Sequence, residues 1–425
     1  MTNDKIQMTN TKTFDIAVIG GGAAGCMAAI RAGQLNKDVV LVERNDSIGK
    51  KILITGKGRC NLTNLADEDA FIEKFGNRGE FLRTAFHSFS NEDLIAFFRS
   101  IGLETKAERQ GRVFPATDKA RSVIDALNKA LADTGVKVIY NTRITKISRG
   151  GAVFKLTSDD GAEIAAKKIV ISTGGVSYKV TGSTGDGFRM AESLGHKIAP
   201  LKPGLVPLTT KEAWIKELQG LALENIRVTF ECGKKKIISD VGELMFTHFG
   251  VSGPLVLDMS ARVMALLEEG KEVRLLIDLK PGLRHEQLES KLLHKFKVKG
   301  NIVSKNLMKD LLPQRLIERF LKYCEIRQET KTNQITQDQR RAMVDALKCF
   351  PLTISGSLPI EEAMVTGGGV SIKEINPRTM ESRISPGIYF AGEMIEGEAA
   401  SGGYNLQQAF STGYLAGEKA AECVK

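Results

Sequence analysis

The sequence predicts an α/β protein built on a parallel sheet, interrupted by a β-rich insertion that itself carries a helical piece. Three observations lead there. Phe14 to Gly20 is an apolar, β-rich run closed by glycine, as expected of a strand buried on both faces. Ala23 to Gln34 then reads as a helix and Val39 to Glu43 as a second short strand. Such a strand–helix–strand unit requires a right-handed crossover and hence parallel strands. After a long stretch of different character, a glycine-rich segment returns at 366–413, so both ends of the chain are expected to build one domain.

Gly20-Gly21-Gly22-Ala23-Ala24-Gly25 fits G-x-G-x-x-G between the first strand and the helix. Gly20 allows the tight turn, Gly22 lets backbone approach a pyrophosphate, and Gly25 lets helix and strand pack closely. The helix N-terminus at Ala23 and Ala24 attracts the phosphate charge. Glu43 ends the second strand, near the ~20-residue offset of an acid that binds ribose hydroxyls, with Arg44 beside it. Glutamate at that point disfavours a 2′-phosphate. A lone motif of this kind could be only a glycine-rich turn; strand, motif, helix, strand and acid in this order argue for a bound dinucleotide.

Residues 47–66 contain Lys50, Lys51, Lys57 and Arg59 and no acid. Without context this is a solvated basic loop. Directly after a ribose-binding acid, a compact cationic loop is expected to wrap the same anion, with Lys51, Gly56, Arg59, Cys60 and Asn61 as contacts.

Further on, Ser90 can cap a helix carrying Leu94, Phe97, Phe98 and Ile101, with Asp93 completing a capping box and Gly102 ending it. A helix near Lys119 to Ala132 places Val123, Ile124, Leu127 and Leu131 on one face. Residues 136–175 read as an antiparallel meander broken at 149–151 and 159–161. Pro200, Pro203 and Pro207 punctuate a linker, 205–281 reads as short strands, and 284–346 as charged helices. The expected organisation is a mobile tail at 1–12, a nucleotide-binding domain from 13–198 and 357–425, a β-rich insertion from 199–283 and 347–356, and a helical piece at 284–346.

Composition sets the class. Of 425 residues, 42% are hydrophobic and 26% charged, with 42 Gly against 11 Pro, which excludes disordered, collagen-like and coiled-coil chains. The formal charge of +10 suits an anionic ligand, a nucleic acid or simple solubility, and chooses among none of them. Six widely spaced cysteines without C-x-x-C or zinc-type spacing point to reduced thiols, a cytoplasmic location and no metal site. The polar start at Met1 to Lys12 is no signal peptide, and Ile16 to Ile30 is too short and glycine-rich to span a membrane.

Gly49-Lys50-Lys51-Ile52 through Asn64 resembles the signature of a conserved bacterial FAD-binding flavoprotein family, with aminoacetone-oxidase-like and bile-acid-reductase-like members. The likeness recurs at 111–115, 172–175, 181–187, 247–254, 365–380 and 387–417. It implies a Rossmann-like FAD domain of glutathione-reductase type, an inserted β-barrel-like domain and a small helical domain. Carried over position by position, Gly20, Gly22 and Gly25 would meet the pyrophosphate and Glu43 the adenosine ribose. Ile144 would offer backbone to adenine, and Thr173 and Gly174 would sit beside the cofactor. Gly392 and Glu393 would form the second FAD-binding segment, the acid reaching the ribityl chain. Gly403, Asn405 and Leu406 would lie at the flavin end, on a helix N-terminus that stabilises negative charge on the reduced ring. The chain departs from the pattern at Lys179-Val180 and at Glu398-Ala399-Ala400-Ser401, both expected to border the substrate space.

The expected activity is FAD-dependent oxidoreduction of a small organic substrate held between the FAD domain and the insertion. No second dinucleotide motif follows a strand, so NAD(P)H is expected only as a transient donor, with oxygen as the alternative reaction partner. Candidates for proton transfer are His248, Tyr178 and Tyr404; a structural histidine and core tyrosines are the competing readings. The alternative function is flavin-dependent RNA modification or RNA binding, motivated by the basic charge. Interspersed signs in 284–346 and a single Trp214 weigh against nucleic acid. A flavoprotein that senses redox state without turnover is a third reading.

Overall fold

The computed structural model describes residues 12–298 and 301–424. All but Lys12 of the expected N-terminal tail lies outside the described residues. The chain divides into two compact units, one running up to Gly204 and resuming at Ile360, the other spanning Leu205–Pro359.

The first unit is built on a seven-stranded sheet. Its main order is Lys137–Ile139, Val39–Val42, Thr13–Ile19, Glu163–Ile171, Val153–Ser158 and Ile144–Gly150. The first four strands run parallel and the last two complete an antiparallel meander. Glu163–Ile171 changes partner along one edge: residues 163–166 pair with Val153–Ser158, and 169–171 pair in parallel with Ile388–Phe390. The C-terminal segment thus joins the same sheet as the N-terminal strand. Thr13–Ile19 is buried on both faces beyond its first residues, in keeping with its unbroken apolar pattern.

The helix Ala23–Gln34 packs on the last helix, Tyr404–Glu422, through small residues. A Cβ on Gly413 would lie 2.2 Å from Ala24 O, and one on Gly417 2.3 Å from Ala28 O. These glycines let two helix backbones approach where any side chain would separate them. The capping box at Ser90 and Asp93 forms, opening the helix Asn91–Ser100, a device worth about 1 kcal/mol. The helix expected at 119–132 spans Ala120–Asp133.

Two expectations need correction. Residues 254–267, read as part of a strand-rich stretch, form a helix, Pro254–Leu267. Gly253 turns the chain at φ +93 and Pro254 supplies a preset first helical φ, so proline there starts a helix. The proline-punctuated linker is also partly a strand: Ile198–Gly204 pairs antiparallel with Val365–Val370.

In the second unit, Ala222–Cys232, Gly242–Phe246, Gly250–Ser252, Leu208–Thr210, Phe350–Ser357 and Val273–Asp278 pair in sequence, and the last pairs back with the first. The sheet therefore closes on itself, with Lys235–Ile238 attached outside the ring. The helices between His285 and Lys348 bury Leu288, Leu316, Phe320 and Leu347 in the same apolar cluster as the barrel residues Phe230, Phe246 and Leu275. No described helix is long and apolar enough to cross a membrane.

Candidate functional site

The three glycines of the motif have distinct surroundings. Gly20 turns the chain at φ +100, and a Cβ there would lie 2.7 Å from Ser172 O. A Cβ on Gly25 would lie 1.8 Å from Gly20 O, whereas nothing stands within 4 Å of one on Gly22. Gly25 is thus a packing residue, and Gly22 faces open space as the N-cap of Ala23–Gln34, with no side chain capping the helix. Free N–H groups and the helix dipole at this end suit a phosphate.

Glu43 is buried, and its carboxylate accepts N–H groups from Gly21 (2.7 Å) and Asn45 (2.8 Å). The ribose-binding candidate therefore also ties the glycine turn to the end of the second strand. Glu43→Ala is expected to weaken FAD retention about tenfold, the scale of one charge-assisted hydrogen bond, measured by equilibrium dialysis.

Arg44 reaches Thr184 Oγ1 (2.6 Å) and Asp186 (3.2 Å). Asp186 also receives a two-pronged contact from Arg143, both bonds at 2.8 Å, and a contact from Arg189. Burial works against its charge, but Arg143 and Arg189 prevail and hold the carboxyl below its ordinary value of 3.8. This cluster, unforeseen in the sequence, anchors the 181–186 loop to the end of the second strand. Asp186→Asn should cost roughly 1.5–3 kcal/mol, read by denaturant unfolding near neutral pH. A carboxyl lowered in the fold stabilises above its unfolded pKa and loses that contribution as pH falls through the folded one. The deficit of the variant should therefore shrink in acid, below about pH 4.

The basic loop forms a short helix, Lys50–Ile54, then a turn in which Gly56, Lys57 and Gly58 all have positive φ. Lys51 Nζ donates to Glu393 (2.7 Å) and to Ser177 Oγ (2.8 Å). Glu393 also accepts Thr366 N–H (2.6 Å) and Ser177 O–H (3.0 Å). Burial opposes its charge, yet Lys51 and these donors keep the carboxyl below its ordinary range. Asn61 Oδ1 is buried without a hydrogen-bond partner among the described residues. Arg59 turns to Glu108 and Asp118 and lies over the Phe114 ring at 4.1 Å, so the chain neutralises it internally. Cys60 is fully buried and its thiol is pushed up to about 12 by burial, which removes it as a nucleophile.

The C-terminal segment meets these elements directly. Gly392, at φ +68, donates its N–H to Thr412 Oγ1 (2.9 Å), and a Cβ there would lie 2.8 Å from Ala24 Cβ. Thr173 Oγ1 reaches Met394 Sδ (3.2 Å), and Gly174 takes φ +76. Ile144 is buried at the start of its strand. Gly403, at φ +103, would clash with Thr63 O at 2.3 Å if it carried a Cβ. Asn405 binds Ala399 through both ends of its amide, and Leu406 is partly buried beside the core.

The proton-transfer candidates fare differently. Tyr404 packs edge-on against Phe71 at 4.9 Å within a small apolar cluster. Tyr178 sits at φ +50, and burial raises its hydroxyl pKa. His248 is exposed in the second unit, edge-on to Phe249. His196, which no sequence motif marks, contacts Ser382 (2.9 Å) and Glu374 (3.3 Å). That order of groups suggests a hydrolytic triad, but Ser382 Oγ already accepts the N–H groups of Ile384 and Ser385, and it lies inside the core.

Open space at Gly22, the unpartnered Asn61 oxygen and the Lys51–Glu393 pair fit an extended anionic dinucleotide clasped from both chain ends. Fold and site together define a Rossmann-type flavoprotein. More narrowly, the chain belongs to the HI0933-like family: the HI0933-like protein Rossmann domain matches residues 14–419. It is 35% identical to the 3-dehydro-bile acid delta(4,6)-reductase of Clostridium scindens, covering 96% of this chain and 99% of the relative. It is 31% identical to the ribosomal RNA dihydrouridine synthase of Escherichia coli, covering 94% and 96%. Among solved structures, the 3-ketosteroid delta1-dehydrogenase of Sterolibacterium denitrificans superposes with a TM-score of 0.55 at 13% identity, over 97% of this chain and 100% of that one; this likeness concerns the fold. The protein is an FAD-dependent oxidoreductase.

Proposed function

We propose that the protein reduces a carbon–carbon double bond conjugated with a carbonyl, in a small organic molecule, with NAD(P)H as a transient electron donor. One observation carries this reading. Two relatives aligned over nearly their whole length act on very different molecules, a bile acid and ribosomal RNA. Their names nevertheless imply one bond change, saturation of a ring C=C beside a carbonyl. FAD, when bound, supplies the two-electron chemistry. Lys51 and Glu393 would fix the sugar-alcohol chain, Glu43 the ribose, and Gly22 the pyrophosphate. The N-terminus of the last helix would stabilise negative charge that develops on reduction.

The bile-acid relative favours a small polycyclic enone. The 31% identity to the Escherichia coli enzyme and the net charge of +10 favour a second reading, uridine in RNA. An anaerobic experiment separates them. Protein bleached with NADH or NADPH is mixed with a 3-oxo-4,6-diene steroid acid or with unmodified ribosomal RNA transcript. Recovery of the yellow spectrum with the steroid supports the leading reading, and recovery with RNA alone supports the second. Reoxidation by neither rules out both.

A further inference from the structure

Glu398 lies in the loop that leads from Glu393 into the last helix, and that loop is held at both ends. Gly397 turns the chain at φ +136. Asn405 donates to Ala399 O (3.0 Å) and accepts Ala399 N–H (2.9 Å). The Glu398 carboxyl packs against positions that lack side chains. A Cβ on Gly367 would lie 3.0 Å from each of its oxygens, and one on Gly204 3.3 Å from its Cγ. Its Oε2 is buried and makes no hydrogen bond among the described residues. A buried carboxyl oxygen without a partner costs free energy, so a group outside the chain is expected to meet it.

The neighbourhood is that of the coenzyme site proposed above. Gly367 follows Thr366, whose N–H donates to Glu393 at 2.6 Å, and Ala399 is tied to Asn405 at the start of the last helix. Two charged groups face Glu398. Arg78 and Glu396 pair with each other at 3.1 Å, so the guanidinium is shared and Glu396 repels a second charge. Burial, the largest influence, and Glu396 together outweigh Arg78 and hold the carboxyl above its ordinary range. It therefore keeps its proton at a pH where an exposed glutamate has lost it.

We propose that Glu398 is the proton donor for the double-bond reduction, an inference that rests on the function proposed above. The two electrons would arrive at the carbon β to the carbonyl as a hydride equivalent, the chemistry that FAD supplies when bound and reduced. The π pair of the C=C bond forms a C–H bond at the α-carbon with the proton that leaves Glu398 Oε2. The substrate gains two electrons and two hydrogens, and the carboxylate recovers its proton from water.

The test compares wild type, Glu398→Gln and Glu398→Asp, all loaded with FAD. Infrared difference spectra taken through a pH titration should show a protonated carboxyl that persists above the ordinary glutamate range and that Glu398→Gln removes. Photoreduced protein mixed anaerobically with the 3-oxo-4,6-diene steroid acid should be reoxidised at least ~100-fold more slowly in Glu398→Gln, the lower range for a general acid. Glu398→Asp should recover part of that rate with a shifted pH profile, and reoxidation by oxygen should be the same in all three. Absence of the carboxyl band, or equal steroid rates, overturns the assignment. If Glu398→Gln loses FAD while Glu398→Asp matches wild type at every pH, the residue serves packing and the assignment fails. If reduced wild type is not reoxidised by the steroid, the proposed function fails first and this role with it.

Discussion

Adding one methyl group at Gly25 is expected to abolish recovery of folded, flavin-loaded protein, while the same change at Gly22 leaves the fold intact and loosens the coenzyme. The two positions lie three residues apart in one motif, yet their surroundings are opposite. A Cβ on Gly25 would sit 1.8 Å from Gly20 O, a backbone atom that cannot rotate away. To admit it, the helix Ala23–Gln34 must lift from the strand that precedes it, separating the contact that organises the domain. The cost should exceed about 4 kcal/mol, the range of severe core lesions. On Gly22 the methyl meets nothing within 4 Å, so a folded protein is expected, with a melting temperature close to wild type once flavin is removed from both. The methyl then occupies the space in which backbone should approach pyrophosphate. Thermal melts and flavin fluorescence, run on both variants, check the pair. Equal behaviour of the two would contradict the division of roles.

Lys51→Met should have the second largest effect. Lys51 and Glu393 are 24% and 19% exposed and lie 2.7 Å apart. Removing the cation leaves Glu393 with Thr366 and Ser177 but without its counter-charge, at a cost of roughly 3 kcal/mol. The pH dependence should also reverse. In the wild type the Glu393 carboxyl is held below its ordinary value of 4.5. It therefore contributes stability above that value, which is lost as pH falls through the folded pKa. Without Lys51, burial pushes the carboxyl up. A group raised in the folded state contributes stability in acid and loses it as pH rises through the folded pKa. Lys51→Met should consequently gain on wild type as the pH drops from neutral towards 4, in urea titrations of the flavin-free forms. A constant deficit across that range would mean that the pair is not electrostatically coupled. In the loaded protein, FAD should dissociate during gel filtration.

Much of the first domain was legible in the sequence because its signals are local. The apolar run of Phe14 to Ile19, the glycines after it and the acid at position 43 follow one another within one strand–helix–strand unit. The Ser90–Asp93 capping box is a four-residue pattern. What escaped was long-range convergence. Asp186 looks like any acid in a glycine-rich loop until Arg44 and Arg143, more than forty residues away, close on it. Likewise, the pairing of Arg59 with Glu108 and Asp118 joins residues about fifty or more positions apart, which its basic neighbours in sequence do not announce. The helix Pro254–Leu267 was hidden because Asp258, Ser260 and Arg262 alternate with Met259, Ala261 and Val263, a period of two that reads as a strand. Glu398 stood out in sequence only as a departure from a pattern; burial against Gly367 and Gly204 gives it a chemistry.

Both ends of the chain are expected to assemble one site for a single FAD. Acid release of the bound flavin from purified protein, with chromatography against FAD and FMN standards, checks this. The expected result is intact FAD at one molecule per chain. A preparation that yields FMN, or that stays colourless after incubation with excess FAD, would contradict the account.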